Sequence, residues 1–126
     1  MTVRSLPITI GDEDLELRFE QYDVIRAEID YKVGYTHFFK KEFQSLSLFR
    51  TLFYHGLKYR TRAGNLERRC ANKDEAGELV SIFLSEHYPD ELVEAVFYSF
   101  VVSGWMKDPA DYTSTDKTSI SVPSKN

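Results

Sequence analysis

Leu6, Ile8 and Ile10 alternate with Pro7 and Thr9, and Leu15, Leu17 and Phe19 alternate with Glu16 and Arg18. Between the two runs lies the polar stretch Gly11-Asp12-Glu13-Asp14. Two period-two runs around a glycine-containing turn predict a β-hairpin. Pro7 has no N–H to give to a ladder, which places the first strand at a sheet edge. A lone hairpin is marginal in water, so its apolar face must rest on helices.

From Asp23 the period changes. Val24, Ile25, Glu28 and Ile29 predict a short helix that loosens near Val33-Gly34, and "YTHFFKKEF" sets Phe39 and Phe43 four apart in a further helical segment. Ser47 is a candidate cap for the next helix, where Phe49, Leu52, Phe53, Gly56 and Leu57 form one apolar stripe. Gly56 on that stripe allows another backbone to approach closely, at about 1 kcal/mol relative to alanine. Arg60 to Lys73 has no apolar periodicity and is expected to be a loop.

Asp74 opens a helix with Ala76, Leu79, Val80, Phe83 and Leu84 on one side, and Pro89-Asp90 restarts the chain. The last helix carries Leu92, Val93, Val96, Phe97, Phe100 and Val101, with Gly104 as a left-handed stop and Trp105 folding back onto Phe100. The fold class is therefore α+β, mostly α: an N-terminal β-hairpin packed on four or five helices. Residues 1–106 form the globular domain. Residues 107–126, rich in Ser, Thr, Asp and Lys, form a flexible polar tail whose removal should leave thermal stability nearly unchanged.

Composition narrows the function classes. The chain has 126 residues, 42% apolar and 29% charged, enough for one domain with a real core. Nine Phe and eight Tyr are many for this size and suggest that some rings serve a surface. A net charge of −4 argues against global attraction to nucleic acid or to an anionic membrane. The single cysteine, Cys70, excludes an internal disulfide and fits a reducing compartment. No apolar run approaches the ~20 residues that span a bilayer, and "MTVRSLPITIG" is too short in its apolar part for a signal peptide. A cytoplasmic protein with no membrane partner is expected.

His37, His55 and His87 are widely separated, with no Cys or carboxylate at metal-ligand spacing, so no metal or other cofactor is expected. The carboxylates are scattered, and no Gly-rich phosphate loop, GxSxG or HExxH occurs, which makes an enzyme the least favoured class. The cluster with most bearing on function is basic. Lys58, Arg60, Arg62, Arg68 and Arg69 stand against Glu67, with Tyr54 and Tyr59 alongside. Arginines on phosphates and tyrosines under bases would make the 58–69 segment a nucleic-acid contact, as in a small regulatory protein. The same charge also complements the negative end of the preceding helix, or an acidic protein partner. Tyr54, Tyr59, Arg60, Arg62, Arg68, Arg69 and Trp105 are therefore the candidate partner-binding residues, with a protein favoured over nucleic acid.

The order of these segments resembles that of the tail assembly chaperones of long-tailed, siphovirus-type bacteriophages. "ITIGDEDLELRFE" resembles the family's opening strand, polar turn and Leu-Arg-Phe. "SLFRTLFYHGLKY" resembles its central helix, and "DEAGELV" with "ELVEAVFYSFVVSG" its last two helices. The resemblance spans roughly residues 6 to 104; the load of Phe and Tyr and the basic 60–73 segment depart from it. It implies no catalytic residues. It implies a protein of the host cytoplasm that binds tape measure protein and tail tube subunits, promotes tube polymerisation and is absent from the mature virion. It further implies self-association or coating of a helical client, and a second, longer product made by programmed frameshifting.

Overall fold

The computed structural model describes residues 4–108. The expected tail over 107–126 lies, from residue 109 onward, outside the described residues. Strands β1 (Leu6–Ile10) and β2 (Glu13–Leu17) pair antiparallel with Leu6 opposite Leu17 and Ile10 opposite Glu13. The two-residue turn places Gly11 at φ +63, at the first central position where a type II′ hairpin needs glycine. β2 therefore begins at Glu13, inside the stretch expected to be turn, and Phe19 lies beyond it. Ile8, Ile10, Leu15 and Leu17 point into the core, as the alternation requires.

The hairpin is half of a larger sheet. β3 (Leu57–Arg60) and β4 (Leu66–Arg68) extend it in the order β1-β2-β3-β4, all antiparallel. This corrects the loop expected from Arg60 to Lys73: the segment begins with a second hairpin, closed by Gly64 at φ +91 and by a bond from Thr61 N–H to the Asn65 carbonyl. Pro7 sits on β1, an edge strand, as predicted.

Helix α1 spans Gln21–Tyr31 and buries Val24 and Ala27. Ile25 and Ile29, part of the pattern that predicts this helix, face solvent. The "YTHFFKKEF" segment forms two 3₁₀ turns, Tyr35–His37 and Lys41–Phe43, rather than a helix. Helix α2 (Leu46–Gly56) is capped by Ser45, whose Oγ accepts the Leu48 N–H at 3.1 Å; Ser47 lies within the first turn. α2 runs into β3 without a loop. Gly56 ends the helix where the Phe19 ring lies against it, so the close approach there is a side chain and not a backbone.

Helix α3 (Lys73–Glu86) is capped by Asn72, and α4 (Pro89–Val102) starts at Pro89, with the Glu91 carboxylate accepting the Tyr88 N–H. α4 ends in the Schellman arrangement: Gly104 has φ +94, its N–H reaches the Val101 carbonyl, and Trp105 N–H reaches that of Phe100. Phe19, Phe38, Phe53 and Phe100 are fully buried, and Phe19 and Phe100 meet at 4.5 Å between ring centres. Four α-helices and a four-stranded sheet share this one core, an α+β architecture.

Candidate functional site

The basic segment is folded back onto acids of the sheet and of α3. Arg60, at the end of β3, grips Glu16 of β2 with Nε and Nη2 at 2.8 and 2.6 Å. Arg69 grips Glu13 in the same two-pronged way, at 2.8 Å for both bonds, and approaches Glu75 at 3.3 Å. Lys58 turns inward, and its Nζ donates to Asp23 of α1 at 2.9 Å, both groups being buried. Hydrogen bonds from the guanidinium groups hold the Glu13 and Glu16 carboxyls below the usual carboxylate range, against the opposing effect of burial. Three of the five bases, Lys58, Arg60 and Arg69, thus meet four acids, Asp23, Glu16, Glu13 and Glu75, and Glu67 beside them accepts from the Tyr59 hydroxyl. The positive cluster seen in one dimension is close to neutral in three.

Of the remaining candidates, Arg62 is exposed in the β3–β4 turn, and Arg68 stacks 4.5 Å over the half-buried Tyr54 ring. Tyr59 is 40% exposed on β3. Trp105 lies apart from all of these. Its Nε1–H donates to the Phe19 carbonyl at 2.6 Å and its ring meets Tyr35 edge-on, so it locks the end of α4 to the start of α1. The structure thus brings Tyr54, Tyr59, Arg60, Arg62, Arg68 and Arg69 onto the β3–β4 hairpin and its flank, and leaves Trp105 elsewhere.

A second polar cluster, not visible as a motif, joins α1, α2 and α3. His55 Nε2 is 3.1 Å from Asp30, which also takes a bond from Lys73. Burial raises the Asp30 carboxyl, but the Lys73 and His55 bonds outweigh it and the pKa falls below 3.8. His55 responds oppositely: burial holds its pKa below 6.5 despite the neighbouring Asp30. A neutral His55 fits its surroundings, since Nδ1 is buried without a partner among the described residues and an imidazolium would carry there a second N–H with nothing to accept it. The cluster is a cross-link between helices. Cys70 is buried with its thiol pushed up to about 11 by desolvation, the opposite of an activated nucleophile. Among the described residues no group of three or more His, Cys, Asp or Glu is arranged to hold a metal ion.

What the sequence missed is a set of exposed apolar side chains. Tyr22, Ile25 and Ile29 of α1, Leu46 at the start of α2 and Tyr88 before α4 are all large and exposed. The signal for the α1 set was present: Val24, Ala27 and Tyr31 have helical spacing too, and only one of the two stripes can face the core. No protein-family model matches the chain, and comparison with curated proteins and with solved structures finds no significant similarity.

Proposed function

We propose that this protein is a non-enzymatic assembly chaperone of a long-tailed phage. It binds tape measure protein and tail tube subunits in the host cytoplasm, promotes tube polymerisation and is left behind by the finished virion. The order hairpin, short helix, central helix and two final helices supports this reading, because it is the order that the sequence resemblance implies. The observation that carries it is the exposed apolar face of α1 beside a full core: Tyr22 is 55%, Ile25 47% and Ile29 70% exposed, while four phenylalanines and seven aliphatic side chains are sealed inside. Apolar side chains gathered on one surface mark a site for a partner.

A nucleic-acid regulator built on the 58–69 segment is less well supported. At Lys58, Arg60 and Arg69 a phosphate would have to displace Asp23, Glu16 or Glu13. Co-expression with tail tube and tape measure proteins, which the proposal expects to be encoded beside this chain's gene, tests it. Both should move from the pellet to the soluble fraction. Clients equally insoluble with and without the chain would refute it.

A further inference from the structure

On α1, residues advance about 100° and 1.5 Å each. Tyr22, Ile29 and Ile25 then fall within an arc of roughly 60° and a length of roughly 10 Å. All three face solvent, at 55%, 70% and 47% exposure. Arg26 and Lys32 border this arc, one on each side, and both are exposed. Arg26 folds its guanidinium over the Tyr22 ring at 4.4 Å, and Lys32 caps the helix at φ 62 with no ion-pair partner among the described residues.

Every carboxylate of α1 lies off the arc and is engaged by the protein itself. Asp23 accepts Lys58 and the Glu20 N–H, Asp30 accepts His55 and Lys73, and Glu28 accepts the Tyr35 N–H at 2.8 Å. A chain of net charge −4 thus presents on α1 a two-turn apolar ridge whose flanking charges on that helix, Arg26 and Lys32, are positive.

We infer that the outer face of α1 docks an acidic amphipathic helix, through apolar packing on Tyr22, Ile25 and Ile29 and ion pairs to Arg26 and Lys32. This deepens the chaperone reading by naming the client surface and its chemistry, and it rests on that reading only for the client's identity. Ridge-into-groove packing explains a helical partner: side chains at i, i+3 and i+7 form the ridge that a second helix receives between its own. Charge selects among occupants. A second copy docking by the same face would bring Arg26 and Lys32 against their equivalents, and an anionic membrane would have to accept a protein of the same overall sign.

The test uses the full chain, isotopically labelled, and two synthetic peptide helices with the same leucine stripe, one flanked by glutamates and the other by lysines. The glutamate peptide should shift the amide resonances of α1. Ile25→Asp with Ile29→Asp should weaken it at least roughly tenfold, a loss of about 1.4 kcal/mol or more. Arg26→Glu with Lys32→Glu keeps the apolar ridge and should transfer the preference to the lysine peptide. Equal binding of both peptides by the wild type, or shifts confined to other elements, would overturn the inference. Phosphatidylserine vesicles that shift α1 where the glutamate peptide does not would overturn it in favour of a membrane. A dimer abolished by Ile29→Asp, with no response to the glutamate peptide, would overturn it in favour of a second copy. Because the probes are peptides, these outcomes are independent of whether tail proteins are the clients.

Discussion

Gly56 shows how one missing methyl group sets a junction. A Cβ built there would lie 2.1 Å from the Phe19 ring, which is sealed against Phe100 and has nowhere to move. Alanine would gain about 1 kcal/mol of helix propensity, yet overpacking of this severity costs about 1–3 kcal/mol or more. Gly56→Ala is therefore expected to lower the denaturation midpoint. Gly77, inside α3, meets only the exposed Arg50 side chain at 3.3 Å, so Gly77→Ala should raise the midpoint by up to about 1 kcal/mol. Equal effects of the two substitutions in urea melts would contradict this packing account. The Asp23–Lys58 pair makes a second residue-scale prediction. Lys58→Met strands a buried carboxylate and should cost about 3–5 kcal/mol, most of it recovered when Asp23→Asn is added. Double-mutant stabilities that simply add would sink that expectation.

Elements were legible where one face alone is apolar. β1 and β2 alternate cleanly because their outer face is wet, and α4 announced both its proline start and its Gly104 stop. β3 and β4 were not legible because they are short, have Leu57 and Leu66 as their only aliphatic residues, and hold their outer face with ion pairs between residues far apart in sequence. Charge partners 44 and 56 positions away engage Arg60 and Arg69 of the apparent basic patch. α1 misled for another reason: it carries two apolar stripes, and the larger side chains lie on the outer one. In the β3–β4 hairpin, Gly64 holds φ +91 with open space around it. Gly64→Val should thus cost about 1–2 kcal/mol through backbone strain alone, read as faster amide exchange at Thr61 and Asn65, whose N–H groups close the turn. Unchanged exchange there would mean that the turn relaxes without glycine.

At the scale of the whole molecule, stability should depend on acid in two stages. Burial keeps the folded pKa of His55 below 6.5, so the unfolded chain binds the proton first and stability falls as pH drops below that value. Glu13, Glu16 and Asp30 have lowered pKa values, so the stability they contribute persists above 4.5 and 3.8 and is lost only as pH falls further. His55→Gln should remove the first stage and leave the second. Melts of this variant that still weaken between neutral pH and the carboxylate range would assign the first stage to another group.

On the proposed function, the apolar ridge on α1 holds an aggregation-prone protein in solution. Light scattering from tape measure protein diluted out of denaturant, with increasing amounts of the chain, measures that directly. The account predicts suppression that saturates near a fixed stoichiometry and is lost with Ile25→Asp and Ile29→Asp. Scattering that is unchanged at several-fold excess of the wild-type chain would contradict it.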